Sequence, residues 1–190
     1  MNSIALNIPK LDAEGFKQLC LANEDLQLER ASTGEVIIMS PTYPWTGKNN
    51  SSITALLWLW NDNTNLGISF DSSTGFTLPS GAVYSPDASW VSNEKWDGLT
   101  QQQREEEFSP LAPDFVVELR SSSDSLKKLQ KKMAEYIENG VRLGWLIDPK
   151  NKTVEIYRQG KEVIKILESP QTVSGEDVLP GFELNLNKIW

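Results

Sequence analysis

The sequence predicts an α/β fold, a mixed sheet flanked by helices with an N-terminal helix and hairpin. Three observations carry this. Phe115–Arg120 (FVVELR) and Leu143–Asp148 (LGWLID) are short, nearly unbroken apolar runs, as expected of central strands covered on both faces. A stretch of helical period, 125–139, lies between them. Strand, helix, strand closes as a right-handed crossover with parallel strands, and hairpin signals on either side extend the sheet.

Residues 11–24 place Phe16, Leu19 and Cys20 at helical spacing and read as a short amphipathic helix. They belong to a helical extension, 1–24, ahead of a domain over 25–190. Leu26–Arg30 alternates like a strand, Ala31–Gly34 is a turn, and Glu35–Ser40 returns as a second strand. Pro41 and Pro44 then interrupt the pattern. A long helix over about 46–62 follows, with Ile53, Leu56, Leu57 and Trp60 on one face. Trp45, Trp58 and Trp60 are expected to serve packing or a subunit interface. Strands are expected near 67–71 and 74–78, then a turn and a strand from Asp87 to Val91. Residues 92–112, with Gln101–Gln103 and Glu105–Glu107 in their middle, read as a solvated helical turn within a loop. A lid or a subunit-contact arm is the sharper alternative there. Ser121–Asp124 is expected to cap the helix after Arg120, and Asn139-Gly140 to end it. Pro149–Lys152 turns into the strand Val154–Arg158, and a last strand, Val163–Leu167, precedes a tail ending in Trp190.

Composition narrows the chemistry. The 190 residues are enough for one proper core, and 39% hydrophobic with 23% charged residues is ordinary for a globular chain. The apolar runs fall far short of the roughly 18 residues of a membrane span. Met1–Asn7 lacks the basic start and apolar stretch of a signal peptide, so a cytoplasmic protein without membrane contact is the expectation. The chain has no histidine, which excludes a Ser-His-Asp triad and histidine-based metal sites. Its single cysteine, Cys20, excludes internal disulfides and thiolate zinc sites, and in Leu19-Cys20-Leu21 it reads as a small buried hydrophobe. Gly47-Lys48 resembles the end of a phosphate loop, but Thr42 stands where the first glycine belongs. What remains is carboxylates, lysine, arginine, tyrosine and an oxygen-liganded metal such as Mg²⁺ or Mn²⁺. A net charge of −8 argues against broad, non-specific duplex binding. The basic residues are unevenly placed, with Lys127, Lys128, Lys131 and Lys132 together.

Within that inventory, two Pro-Asp segments stand out: Ser85–Val91 (SPDASWV) and Pro113–Arg120 (PDFVVELR). Asp114 begins its strand and reads as a cap or turn residue. Glu118 lies deep in an apolar run, where an unpaired charge is costly, so it needs a cation, a proton or a partner. On the following helix Leu126, Leu129, Met133, Tyr136 and Ile137 form one apolar stripe. Lys132 sits on its flank, one turn before Tyr136, and can turn its amine toward the sheet, whereas Lys128 and Lys131 point away. Asp87, Glu118 and Lys132 are the minimum set for metal-assisted phosphodiester hydrolysis. The acids hold a hard cation, and the lysine steadies the attacking water or the developing charge.

Six segments occur together and in order: Glu35–Pro41 (EVIIMSP), Thr74–Gly81 (TGFTLPSG), Ser85–Val91, Pro113–Leu119, Lys132–Tyr136 (KMAEY) and Gly140–Pro149 (GVRLGWLIDP). Over residues 25–190 the chain thereby resembles the Uma2 family (DUF820) of endonuclease-like proteins. The resemblance implies a restriction-endonuclease-like fold of the PD-(D/E)xK type, with Asp87 and Glu118 as catalytic and metal-binding carboxylates. That pattern carries a lysine two residues after the glutamate, and here the position is Arg120, which stays protonated but can bind phosphate. The resemblance moves the lysine to the next helix, at Lys132, with Tyr136 one turn on as a supporting residue. Glu29 and Glu35 are candidates for an upstream acid, and Glu35 belongs to the better-matched segment. The reading is a Mg²⁺- or Mn²⁺-dependent endonuclease acting on DNA as a homodimer, with Lys128 and Arg120 as phosphate contacts. Its rival is a catalytically inactive nuclease fold used for binding or scaffolding.

Overall fold

The computed structural model describes residues 4–8, 11–161 and 164–190. The chain opens with β1 (Ile4–Asn7) and α1 (Ala13–Leu21), the helix started by Asp12, which accepts from the Gly15 amide. The predicted hairpin forms as β2 (Gln27–Arg30) and β3 (Glu35–Met39). α2 (Pro44–Thr64) begins with proline at a position that needs no amide donor. β4 (Gly67–Asp71), β5 (Phe76–Thr77), β6 (Val83–Tyr84) and β7 (Ala88–Ser92) follow. The stretch expected as a helical turn in a loop holds two short helices, α3 (Asn93–Asp97) and α4 (Gln101–Glu105). A reciprocal Thr100–Gln103 capping box starts the second. Then come β8 (Phe115–Leu119), α5 (Leu126–Glu138), β9 (Leu143–Asp148), β10 (Thr153–Arg158) and β11 (Lys165–Glu168). A small hairpin, β12 (Thr172–Ser174) and β13 (Glu183–Asn185), and a 3₁₀ turn at Leu186–Lys188 complete the chain.

The central sheet runs β11-β10-β9-β8-β7-β4, parallel at β8–β9 and antiparallel at its other neighbours. The predicted strand–helix–strand unit is therefore present, with α5 as its connection. Alternation along β8 assigns its faces. Phe115, Val117 and Leu119 join Ile53 and Leu57 of α2 and the buried side chains of the C-terminal hairpin. Val116 faces the other way, into the layer of Met133 and Tyr136 from α5. Gly144 permits the close seat of that helix: a Cβ there would stand 2.5 Å from Cε of Met133. α5 ends at Asn139, and Gly140 continues the chain at φ +100°, a conformation glycine adopts without strain.

Several expectations are corrected. The N-terminal hairpin does not extend the central sheet; it builds a second sheet, β1-β3-β2-β6-β5, around Phe16, Leu28, Val36 and Val83. The strand expected at 74–78 shrinks to two residues, because Gly75 and Pro79 flank it. Leu56 is exposed, since α2 touches the sheet along Ile53 and Leu57 and Leu56 lies at the edge of that line. Ser125, not Ser121 or Asp124, is the cap residue of α5, and the Asp124 carboxylate instead accepts from the Ser121 amide. The last predicted strand begins at Lys165, and its expected start, Val163, lies outside the described residues. The tail is a packed hairpin that buries Val173, Leu179, Phe182, Leu184, Leu186 and Ile189. No described helix is long and apolar enough to cross a membrane.

Candidate active site

The antiparallel β7–β8 ladder pairs Ala88 with Val117 and Ser89 with Val116. One step further along this register, Asp87 comes opposite Glu118. Glu118 shares the face of Val116, so it lies under α5, where Lys132 and Tyr136 project on adjacent turns. From the second sheet β2 contributes Glu29, and from the far side α2 contributes Asn50.

Lys132 binds two carboxylates at once: its Nζ lies 2.8 Å from Glu118 Oε1 and 2.9 Å from Glu29 Oε1. It also sits 5.1 Å from the Tyr84 ring centroid and 5.7 Å from that of Tyr136, a supporting cation–π environment. Tyr136 donates its hydroxyl to Glu118 Oε1 at 3.1 Å. Asp87 accepts from the Leu119 amide on Oδ2 and from Asn50 Nδ2 on Oδ1, both at 2.7 Å. Glu29 accepts from the Ser85 amide at 2.9 Å, which ties β2 to the segment carrying Asp87. Behind these, Tyr84 donates to Glu135 at 2.7 Å. The group opens into a cavity of about 640 Å³ with Lys128, Lys131 and Glu135 at its margin.

One lysine thus serves three carboxylates in a poorly hydrated place. Burial pushes the Glu118 carboxyl up to about 8, with Asp87 and Glu29 adding to the rise and Lys132 only partly opposing it. Asp87 is raised as well, again by burial, against the Leu119 and Asn50 hydrogen bonds and the Lys132 charge. Burial works against the Lys132 charge, but Glu118 and Glu29 outweigh it and hold the amine above the ordinary lysine value. Tyr136 is raised well above the usual phenol range by burial and the Glu118 charge, so it stays a donor. Lys132 is therefore a fixed cation and not a base, whereas burial holds the Glu118 carboxyl well above the ordinary carboxylate range.

Among the described residues, no group of three or more histidines, cysteines, aspartates or glutamates is arranged to hold a metal ion by itself. The two opposed carboxylates nevertheless suit a hard cation. Mg²⁺ keeps several waters and takes one or two protein carboxylates plus substrate phosphate. Both hydrogen bonds to Glu118 fall on Oε1.

The structure brings Asp87, Glu118, Lys132 and Tyr136 together. Glu35 lines the same cavity but makes no bond to this group. Glu29 pairs with Ile37 across the hairpin. Glu35 lies on the same face two residues on, about 7 Å by strand rise, with its side chain exposed. Glu29 is 2% exposed and takes the place expected for Glu35. Arg120 is also removed from the set, because its guanidinium binds Asp148 at 2.6 Å and the Asp124 carbonyl. Lys128 is exposed at the cavity rim. Asn50 was not foreseen, and a polar residue inside Lys48-Asn49-Asn50-Ser51-Ser52 gives no signal. Asp114 is a structural anchor, as expected, bound to Lys95 at 3.1 Å, Arg142 at 3.6 Å and the Ser92 amide.

Comparisons with known proteins show the family and the fold. The sequence model of the Uma2 family, described as "Putative restriction endonuclease", matches residues 13–187. The search of curated proteins returned no match. Among solved structures, one is described as "a putative nuclease belonging to DUF820 from Anabaena variabilis ATCC 29413". It superposes with a TM-score of 0.77 at 20% identity, over 94% of this chain and 96% of that one. At that identity the likeness concerns the fold, which is that of a nuclease-fold structure.

Proposed function

The chain belongs to the Uma2 family of restriction-endonuclease type, and on that premise we propose that it is a divalent-metal-dependent DNA endonuclease. The observation that carries the reading is Lys132, held between Glu118 and Glu29 beside the Asp87–Glu118 pair. Asp87 and Glu118 would hold Mg²⁺ or Mn²⁺. When bound, the cation would acidify water and neutralise charge gathering on the scissile phosphate. The remaining work falls to the chain's own groups. Lys132 keeps its proton, so it orients the attacking water or donates to the phosphate oxygens as attack proceeds in line and the 3′ oxygen leaves. Tyr136 and Glu29 fix the lysine and Glu118 in place. Asn50 and the Leu119 amide fix the rotamer of Asp87. Lys128, exposed at the cavity margin, would meet a flanking phosphate. A homodimer would use the exposed apolar side chains of α2, among them Trp45, Leu56 and Leu59.

The test is cleavage of supercoiled, linear, single-stranded and branched DNA with Mg²⁺ and Mn²⁺, alongside Asp87→Asn and Lys132→Met. Cleavage by the wild type and its loss in both variants is expected. A folded wild type that cleaves none of these substrates would mark the chain as a non-catalytic binding module.

A further inference from the structure

A second cavity, a wide-open surface cleft of about 860 Å³, adjoins the carboxylate cavity and shares Thr42, Asn50 and Ser72 with it. Its floor is one face of α2, where Gly47, Ser51, Thr54 and Trp58 recur at three- and four-residue spacing. Its wall is β4, through Ser69 and Phe70. Phe70 is held edge-on by Phe76 and packs against Trp96, so it is a fixed surface. Trp58 is 55% exposed and has no ring or hydrogen-bond partner among the described residues. It stands on a different flank of α2 from Trp45, Leu56 and Leu59, and so is separate from the exposed apolar side chains.

The lining is hydroxyl-rich and aromatic. It contains no lysine or arginine, and its one charged residue, Asp71, is engaged with the Ser73 amide and hydroxyl. The lysines Lys128, Lys131 and Lys132 all lie in the other cavity. Phosphate therefore has its partners on one side, and a flat, uncharged, hydrogen-bonding group has them on the other. At the junction, Thr42 Oγ1 and Asn50 Oδ1 are buried without a hydrogen-bond partner. Buried polar atoms in that condition are uncommon and call for a ligand or an ordered water.

We propose that this side cavity receives an unpaired base of the DNA, so that the substrate is a single-stranded segment and not a fully paired duplex. The inference rests on the nuclease reading for the strand's path past Asp87. A paired base cannot leave the stack without cost, whereas an unpaired one can stack on Trp58 directly.

The experiment measures binding without cleavage, using Asp87→Asn protein in EDTA. A labelled oligonucleotide is offered single-stranded and as the blunt duplex of the same sequence. The single strand is expected to bind about tenfold tighter or more, and adding Trp58→Ala should cost it about tenfold, the worth of one stacked base. Trp58→Phe should restore most of that loss, and duplex binding should not change. Equal or tighter duplex binding, or a Trp58→Ala variant of unchanged single-strand affinity, would overturn the proposal. Cleavage of duplex by the wild type alongside either result would leave the nuclease reading standing alone. Trp58-dependent single-strand binding with no cleavage under any divalent metal would leave this inference and remove the nuclease.

Discussion

Two buried carboxylates stand four residues apart at opposite ends of β8, and their surroundings differ in kind. Asp114 meets two cations, Lys95 and Arg142, and a backbone amide. Glu118 shares a single lysine with Glu29, stands opposite Asp87, and faces a cavity of about 640 Å³. At Asp114 positive charge exceeds negative, and the carboxylate fastens the start of β8 to its neighbours. At Glu118 negative charge exceeds positive, and burial lifts the carboxyl toward neutral pH. A balanced acid holds a fold together. An unbalanced, buried group of acids next to open space is what the proposed cation site would require.

The largest expected effect comes from removing the one cation at the Glu118 end. Lys132→Ala leaves Glu118 and Glu29 buried and unpaired. It should cost roughly 3 kcal/mol in urea denaturation and lower cleavage by about 10²–10³-fold. Asp114→Asn is the matched control at the other end. It should cost about 1–3 kcal/mol while cleavage per folded molecule stays unchanged, which separates a structural acid from a working one.

A subtler difference is expected in pH dependence. Folding raises the Glu118 carboxyl to about 8 and raises Asp87 as well. Between the ordinary carboxylate range and that value, the folded state therefore binds more protons than the unfolded one. Stability then falls as pH rises through the window. The raised Lys132 contributes a constant stabilisation across this window and loses it only above the ordinary lysine range, so it does not offset the trend. Thermal melts of metal-free protein should show Tm falling from about pH 5 toward pH 8, and Glu118→Gln should flatten that slope. A slope unchanged by Glu118→Gln would place the responsible group elsewhere. The smallest effect is expected at Glu35. Glu35→Gln should stay within about 0.5 kcal/mol and leave cleavage unaltered, whereas Glu29→Gln should reduce it.

These residues also show how far sequence reasoning reaches. Glu118 was legible because a charge inside a continuous apolar run has no local route to water. Lys132 was legible because helical phase places it on one flank of the buried stripe and the family resemblance points to a lysine on that helix. The hairpin of β2 and β3 was legible, but the choice between Glu29 and Glu35 was not. Both occupy one face, and only the docking of the second sheet on the first decides which end meets the lysine. Arg120 misled because its partner, Asp148, arrives 28 residues later on the parallel strand β9. Asn50 was invisible because its role depends on where α2 crosses the end of β7. The C-terminal hairpin was missed although Phe182, Leu184 and Leu186 alternate with polar residues as a strand does, because its partner strand offers only Val173 as a buried apolar position.

The most direct test of the contrast between the two ends of β8 is Mn²⁺ binding, followed by the loss of the free-ion electron paramagnetic resonance signal. It should be made at one fixed, near-neutral pH, on the wild type, Asp87→Asn, Glu118→Gln and Asp114→Asn. The wild type and Asp114→Asn should bind the ion, and the other two should release it. A wild type that leaves the signal unchanged, or loss of binding in Asp114→Asn with retention in Asp87→Asn, would contradict the account.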